Sequence, residues 1–166
     1  YELRNYGIPY YVVGGRGFYK QPEIRDIIAF LELLENPHLD IPLAAVLRSP
    51  FVQISDDSLF WLAEYSRRLE APKPFYEALL QFEMIPEIKE EDIMRLKQFR
   101  SFLFQLLSEK EKWTISECIE LIMERTKYDR YVLHLPQGKR HYANIRKLLE
   151  VARELEARES VHLGDF

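Results

Sequence analysis

The chain has 166 residues, 47% of them hydrophobic and 30% charged, enough for one domain with a proper core and the charge density of an ordinary soluble protein. Cys118 is the only cysteine, which excludes a disulfide framework and a cysteine-built zinc site within the chain. A net charge of −4 argues against a globally basic nucleic-acid binder, and apolar runs such as 27–31 are far too short to span a membrane.

No signal-peptide pattern opens the sequence, so a cytoplasmic location is expected. The opening at Tyr1 reads as mid-helix, and the expectation is a piece of a longer protein. Charge is unevenly spread. Glu83, Glu87, Glu90, Glu91 and Asp92 stand against Lys89 alone, whereas Arg125, Lys127, Arg130, Lys139, Arg140, Arg146, Lys147 and Arg153 stand against Asp129 and Glu150. The C-terminal third is the basic part.

In chain order, residues 1–6 read as a helix tail ended by Gly7, and Tyr10–Val13 as a short β-rich run. The cluster Gly14-Gly15-Arg16-Gly17 then precedes Pro22, which suits the first turn of a helix with Glu23 near its positive end. That helix runs to about Leu34 with Ile24, Ile27, Ile28, Leu31 and Leu34 on one face, and Asn36-Pro37 ends it. Asp40 is expected to cap a second helix reaching Arg48, where Ser49-Pro50 breaks it, and Ser55 to cap a third that turns Leu59, Leu62 and Ala63 inward. Residues 71–74 form a stiff connector, followed by a short helix over 75–82.

Residues 91–107 carry the clearest amphipathic pattern, with Ile93, Leu96, Leu103 and Leu107 inward. Thr114 to Glu117 fits the T-x-x-E capping box, and Ile115, Cys118, Ile119 and Ile122 follow at helical spacing. A loop over 134–138 leads to a last helix from about Arg140 to Arg158, striped by Tyr142, Ile145, Leu149, Ala152 and Leu155. The fold class expected is mainly α, a helical, bundle-like subdomain with one short β element near the N-terminus.

The glycine cluster lies where nucleotide-binding proteins cradle phosphate, yet a Walker loop needs G-x-x-x-x-G-K-[ST], which is absent. Gly15 and Gly17 supply two glycines of a dinucleotide fingerprint, but Lys20 replaces the third and no second strand follows. A turn needing positive φ is the simpler reading. No two histidines stand at i, i+4, so no metal site is expected, and no nucleophile, base and orienting group assemble into a catalytic set. Lys139, Arg140, His141, Asn144 and Lys147 occupy a loop and the first turns of a helix, where amides and cations together suit a phosphate backbone. A solvated face whose arginines pair with acids elsewhere accounts for the same residues equally well.

Gly7-Ile8-Pro9-Tyr10, then Gly14-Gly15, Phe18-Tyr19 and Pro22-Glu23-Ile24-Arg25-Asp26, resemble motif IVa of UvrD-type superfamily 1 helicases. The stretches "NPHLDIPLAAVLRSPFVQISDDSL", "ERTKYDRYV" and "PQGKRHYANIRKLLEVARELE" are similar to the AddA/RecB branch, the helicase-nuclease subunits of bacterial recombination, and most of all to the AddA type. The resemblance covers essentially the whole chain. It implies that 1–35 form a strand–turn–helix at the edge of motor subdomain 2A and that 36–166 form the helical 2B insertion over duplex DNA. It implies no cofactor in this piece and ATP with Mg in the parent enzyme, an ATP-dependent DNA helicase with nuclease activity.

On this resemblance, Gly14, Gly15, Phe18, Tyr19, Glu23 and Asp26 are expected to serve structure in motif IVa. Arg48 and Ser49, with Lys139, Arg140, Asn144 and Lys147, are the candidate DNA-facing residues. The implied partners are duplex DNA, the rest of the motor and a second, AddB-like subunit, with no membrane. Where UvrD-type 2B subdomains carry a Gly-Ile-Gly turn, this chain has Val52-Gln53-Ile54-Ser55. Asp56 and Asp57 just after it oppose a phosphate. A protein-interaction domain that docks the partner subunit without touching DNA is the rival reading.

Overall fold

The computed structural model describes residues 16–71 and 73–164. The expected strand over 10–13, with Gly14 and Gly15, lies outside the described residues. Among the described residues all regular structure is helical. They divide into two compact units, one holding the residues up to Ile27 and those from Glu111 onward, the other Ile28–Lys110.

The first unit contains α1 (Arg16–Tyr19), the start of α2 (Pro22–Glu35), α7 (Ile115–Thr126), α8 (Tyr128–Leu133) and α9 (Gly138–Gly164). The expected capping box is present: Glu117 N–H donates to Thr114 Oγ1 at 3.3 Å, and Thr114 N–H donates to Glu117 Oε2 at 2.8 Å. Behind it Cys118, Ile119 and Ile122 are buried as the spacing predicts, joined by Met123. Lys127 (φ 58°) ends α7 in the left-handed region, and α8 begins at once. Sequence patterning gives no sign of α8, because six residues are too few for a 3.6-residue period to register. Its Tyr128 and Val132 nevertheless belong to the core.

α9 begins two residues before the expected Arg140, and it packs on both α7 and α8. Ile145, Leu148, Leu149 and Ala152 are buried along it, each large side chain contributing about 1.5–3 kcal/mol. Tyr142 and Leu155 are only half-buried.

In the second unit lie the rest of α2 with α3 (Asp40–Arg48), α4 (Asp56–Arg68), α5 (Phe75–Leu80) and α6 (Glu90–Glu109). The helix expected over 75–82 stops at Leu80, and a separate 3₁₀ turn follows over Phe82–Met84. α3 packs on α4 and α5, α4 on α5, and α5 on α6. Asp40 does not cap its own helix. Leu39 holds the cap position, and Asp40, inside the first turn, accepts the N–H of Phe75 at 2.8 Å, so it caps the first turn of α5 instead. Ser55 does cap α4, accepting Ser58 N–H at 3.2 Å. Leu62 is fully buried there, with Leu59 and Ala63 half-buried.

The inward stripe of α6 is rotated from the one expected. Leu96 and Leu103 are buried, but Phe99, Phe102 and Leu106 complete the face, while Ile93 and Leu107 are half-buried. Asp92 heads the stripe and is fully buried. Its Oδ2 accepts Ser55 Oγ–H at 2.6 Å, Ser58 Oγ–H at 2.6 Å and Ser55 N–H at 3.2 Å. A carboxylate in an otherwise apolar stripe hides the true face from a hydrophobicity count.

Candidate functional site

Six of the residues singled out from the sequence converge in the first unit. Phe18 and Tyr19 of α1 are buried and meet edge to face, ring centroids 5.2 Å apart. Lys147 of α9 places its ammonium 5.5 Å from the Phe18 ring centroid, within cation–π range. One helical turn earlier, Asn144 Nδ2 donates to Glu23 Oε1 at 2.8 Å, and His141 Nδ1 stands 2.9 Å from Glu23 Oε2.

Glu23 is only 3% exposed, so its carboxylate depends on these two partners for solvation. Local sequence explains the arrangement. Pro22 opens α2 and puts Glu23 in its first turn, and His141 and Asn144 share one face of α9 at i, i+3. Asp26, one turn after Glu23 and half-buried, accepts the Tyr128 hydroxyl at 2.7 Å. Burial raises the Asp26 carboxyl above its ordinary value, and the Tyr128 hydrogen bond offsets this only in part.

Lys139 and Arg140 stand exposed in the first turn of α9, with Arg140 Nη1 3.2 Å from Gln137 Oε1. The same helix thus presents cations to solvent at its start and ties Glu23 down with its next turn. Arg48 and Ser49 lie in the other unit, at the end of α3. Exposed Arg48 pairs with exposed Asp56 at 3.4 Å. Ser49 is buried, donating its hydroxyl to Val46 O at 2.7 Å and accepting Phe51 N–H at 3.2 Å. Gly14 and Gly15 lie outside the described residues.

Two links of the cluster are not legible in the sequence. His141 reads as a bland helix-face histidine until its distant partner is known, and Tyr128 carries no local signal linking it to Asp26. Among the described residues no group of three His, Cys, Asp or Glu is placed to hold a metal ion, and no helix is long and apolar enough to cross a membrane.

Comparison with known proteins decides the family. The model of the UvrD-like helicase C-terminal domain matches residues 1–164. The chain belongs to the UvrD-like helicase C-terminal domain family.

Its relatives include the ATP-dependent helicase/nuclease A subunit of Bacillus velezensis, 36% identical over 157 residues, covering 94% of this chain and 12% of that protein. The proteins of the same name from Oceanobacillus iheyensis and Bacillus pumilus are 31% and 33% identical, covering 94% and 93% of this chain and 12% of each protein. The chain therefore spans about an eighth of the length of these relatives. Within the matched residues, α8 holds Asp26 and α9 holds Glu23 by hydrogen bonds.

Proposed function

We propose that the chain is a non-catalytic part of an AddA-like ATP-dependent helicase-nuclease that acts in double-strand break processing and recombinational repair. Residues 1–35 form the motif IVa edge of motor subdomain 2A, and 36–166 form a 2B-type insertion that guides duplex DNA. ATP and Mg act in other parts of the parent, and an AddB-like subunit is its partner.

One observation supports this reading above the others. The Glu23 carboxylate accepts from Asn144 and faces His141, which ties the motif segment to the helix that starts with Lys139 and Arg140. A duplex backbone held at the start of α9 thereby acts on the segment that leads to the motor. The cations and amides at that helix start suit phosphate.

The test is duplex binding by this chain over a salt series. Affinity should fall as salt rises, with each lost phosphate contact reducing the log–log slope by about 0.9. Reversing Lys139 and Arg140 to glutamate should lower affinity and flatten the slope while leaving the melting temperature unchanged. Duplex affinity that ignores salt, or survives the double reversal, sinks the assignment.

A second reading has its own observation. Ile41 is 84% exposed and Phe60 53% exposed, and Phe60 borders a cleft between α3, α4 and α5 walled by Ala44, Leu59, Ala63 and Phe75. That face suits a docking domain for the partner subunit. Loss of partner binding on Phe60→Glu, with no duplex binding at any salt concentration, would favour it.

A further inference from the structure

A second concavity in the first unit, about 320 Å³ in volume, lies among α7, α8 and α9 and is separate from the Glu23 cluster. Lys127, Arg130 and Arg146 line it, with Tyr142 beside them and Met123, Ile145 and Leu149 as its apolar lining. The three cations reach solvent, and Tyr142 is half-buried. We propose that this pocket seats one nucleotide of an unpaired DNA strand, its phosphate on Lys127, Arg130 and Arg146 and its base against Tyr142. The proposal rests on the reading of the chain as a DNA-facing piece, and it assigns that piece a second kind of contact.

The acids on the rim decide whether the pocket is cationic. Glu120 is engaged by Arg153, whereas Asp129 Oδ1 accepts only the backbone N–H of Arg130 at 2.9 Å and keeps its charge. Glu124 and Asp129 thus oppose three cations, Lys127 and Arg130 at α8 and Arg146 on α9. An anion at the centre is therefore attracted more than it is repelled. The volume sits at the small end of the range for ligand pockets, roughly 300–1,000 Å³, and the combination of apolar wall, aromatic face and cations matches how single-stranded nucleic acid is held.

Lys127 gives an independent indication. It occupies the left-handed region at φ 58°, ψ 26°, the position after a helix that glycine fills at least cost. A lysine there carries a conformational cost, and its side chain lines the pocket.

The test measures binding of a labelled thymidine oligonucleotide to the 166-residue chain by fluorescence anisotropy, beside a hairpin duplex. The R130E/R146E double variant should lose at least about tenfold in oligonucleotide affinity. Its log–log salt slope should shrink by about 0.7, the value for one single-strand phosphate contact. Tyr142→Leu should lose about tenfold with the slope unchanged, since stacking is not electrostatic.

Lys127→Gly guards against misfolding as an explanation. It should raise the melting temperature by relieving the left-handed lysine and still weaken oligonucleotide binding severalfold. Oligonucleotide affinity unchanged in the double reversal or in Lys127→Gly overturns the proposal. An abasic strand bound as tightly as the thymidine strand overturns the seat for the base. Duplex binding without oligonucleotide binding overturns this pocket and leaves the duplex-guide reading standing, whereas loss of both defeats both.

Discussion

The Tyr128 hydroxyl donates to the Asp26 carboxylate at 2.7 Å, joining α8 to the first turns of α2 across 102 positions of sequence. The two partners respond oppositely to mutation. Tyr128→Phe leaves a half-buried carboxylate short of its donor and should cost about 1–3 kcal/mol, read as a lower melting temperature. Asp26→Asn keeps an acceptor for the hydroxyl and removes a charge that burial disfavours. It should be neutral or stabilising at pH 7.

The pH dependence has a definite sign. Burial raises the folded-state value of Asp26 above its unfolded one, so its ionised form weakens the fold at neutral pH. That penalty is relieved as pH falls through the folded value. Comparing wild type with Asp26→Asn in thermal melts from pH 7 to pH 4 isolates it: the stability gap between them should narrow on acidification. A gap that widens contradicts the assignment.

Asp92 behaves the other way. Burial pushes its carboxyl up, but hydrogen bonds from Ser55 and Ser58 outweigh this and leave it below the ordinary value of 3.8. Its contribution is fully present above the unfolded value and is lost as pH falls through the lower, folded one. Asp92→Ala removes, at a fully buried position, the acceptor of three hydrogen bonds from Ser55 and Ser58 and the partner of Arg95, and should cost roughly 3 kcal/mol. Chemical denaturation at pH 7 checks the size. Repeating it below pH 4 should show a smaller difference.

What the sequence makes legible depends on how far the determining partner lies along the chain. The Thr114–Glu117 box, the Ser55 cap and the start of α2 at Pro22 depend on residues within one turn, and each stands where the pattern puts it. Asp40 departs from its expected role because it accepts from Phe75, 35 residues on. The face of α6 departs for a related reason. Asp92 is buried only because Ser55 and Ser58 reach it from α4, so an apolar count rotates the stripe toward Ile93 and Leu107. The site follows the same rule: its cations are evident as a basic run, whereas the Glu23–His141–Asn144 and Asp26–Tyr128 links exist only in three dimensions.

Phe30 tests the core of the second unit. It is fully buried, and its ring meets Phe51, Phe99 and Phe102 with centroids 5.3, 6.1 and 6.1 Å away, each at a steep angle. Edge-to-face packing of this kind contributes beyond the area buried. Phe30→Ala should cost about 3–5 kcal/mol, and Phe30→Leu much less because most of the volume is kept. Equal melting temperatures for the two variants would show that the cluster collapses freely around the site.

Neighbouring residues at the start of α9 should respond in opposite directions to small changes. Gln137 adopts φ 59°, a left-handed conformation in which glycine avoids the Cβ penalty. Gln137→Gly should therefore stabilise by about 1 kcal/mol, less what the loss of the 3.2 Å contact with Arg140 takes away. Gly138 is glycine for a different reason. A Cβ placed there would lie 2.3 Å from the carbonyl oxygen of Leu133 and 2.7 Å from that of Val132, so the backbone of α8 and the first turn of α9 must separate to admit it. Gly138→Ala should cost about 1–3 kcal/mol as overpacking against backbone that cannot rotate away. Because Lys139 and Arg140 follow directly, the same separation displaces the cations proposed to meet duplex DNA. Gly138→Ala should lower both melting temperature and duplex affinity, and Gln137→Gly should raise the first while leaving the second within about twofold. A Gly138→Ala variant that melts like wild type would show that α8 and α9 do not meet as closely as their backbones require.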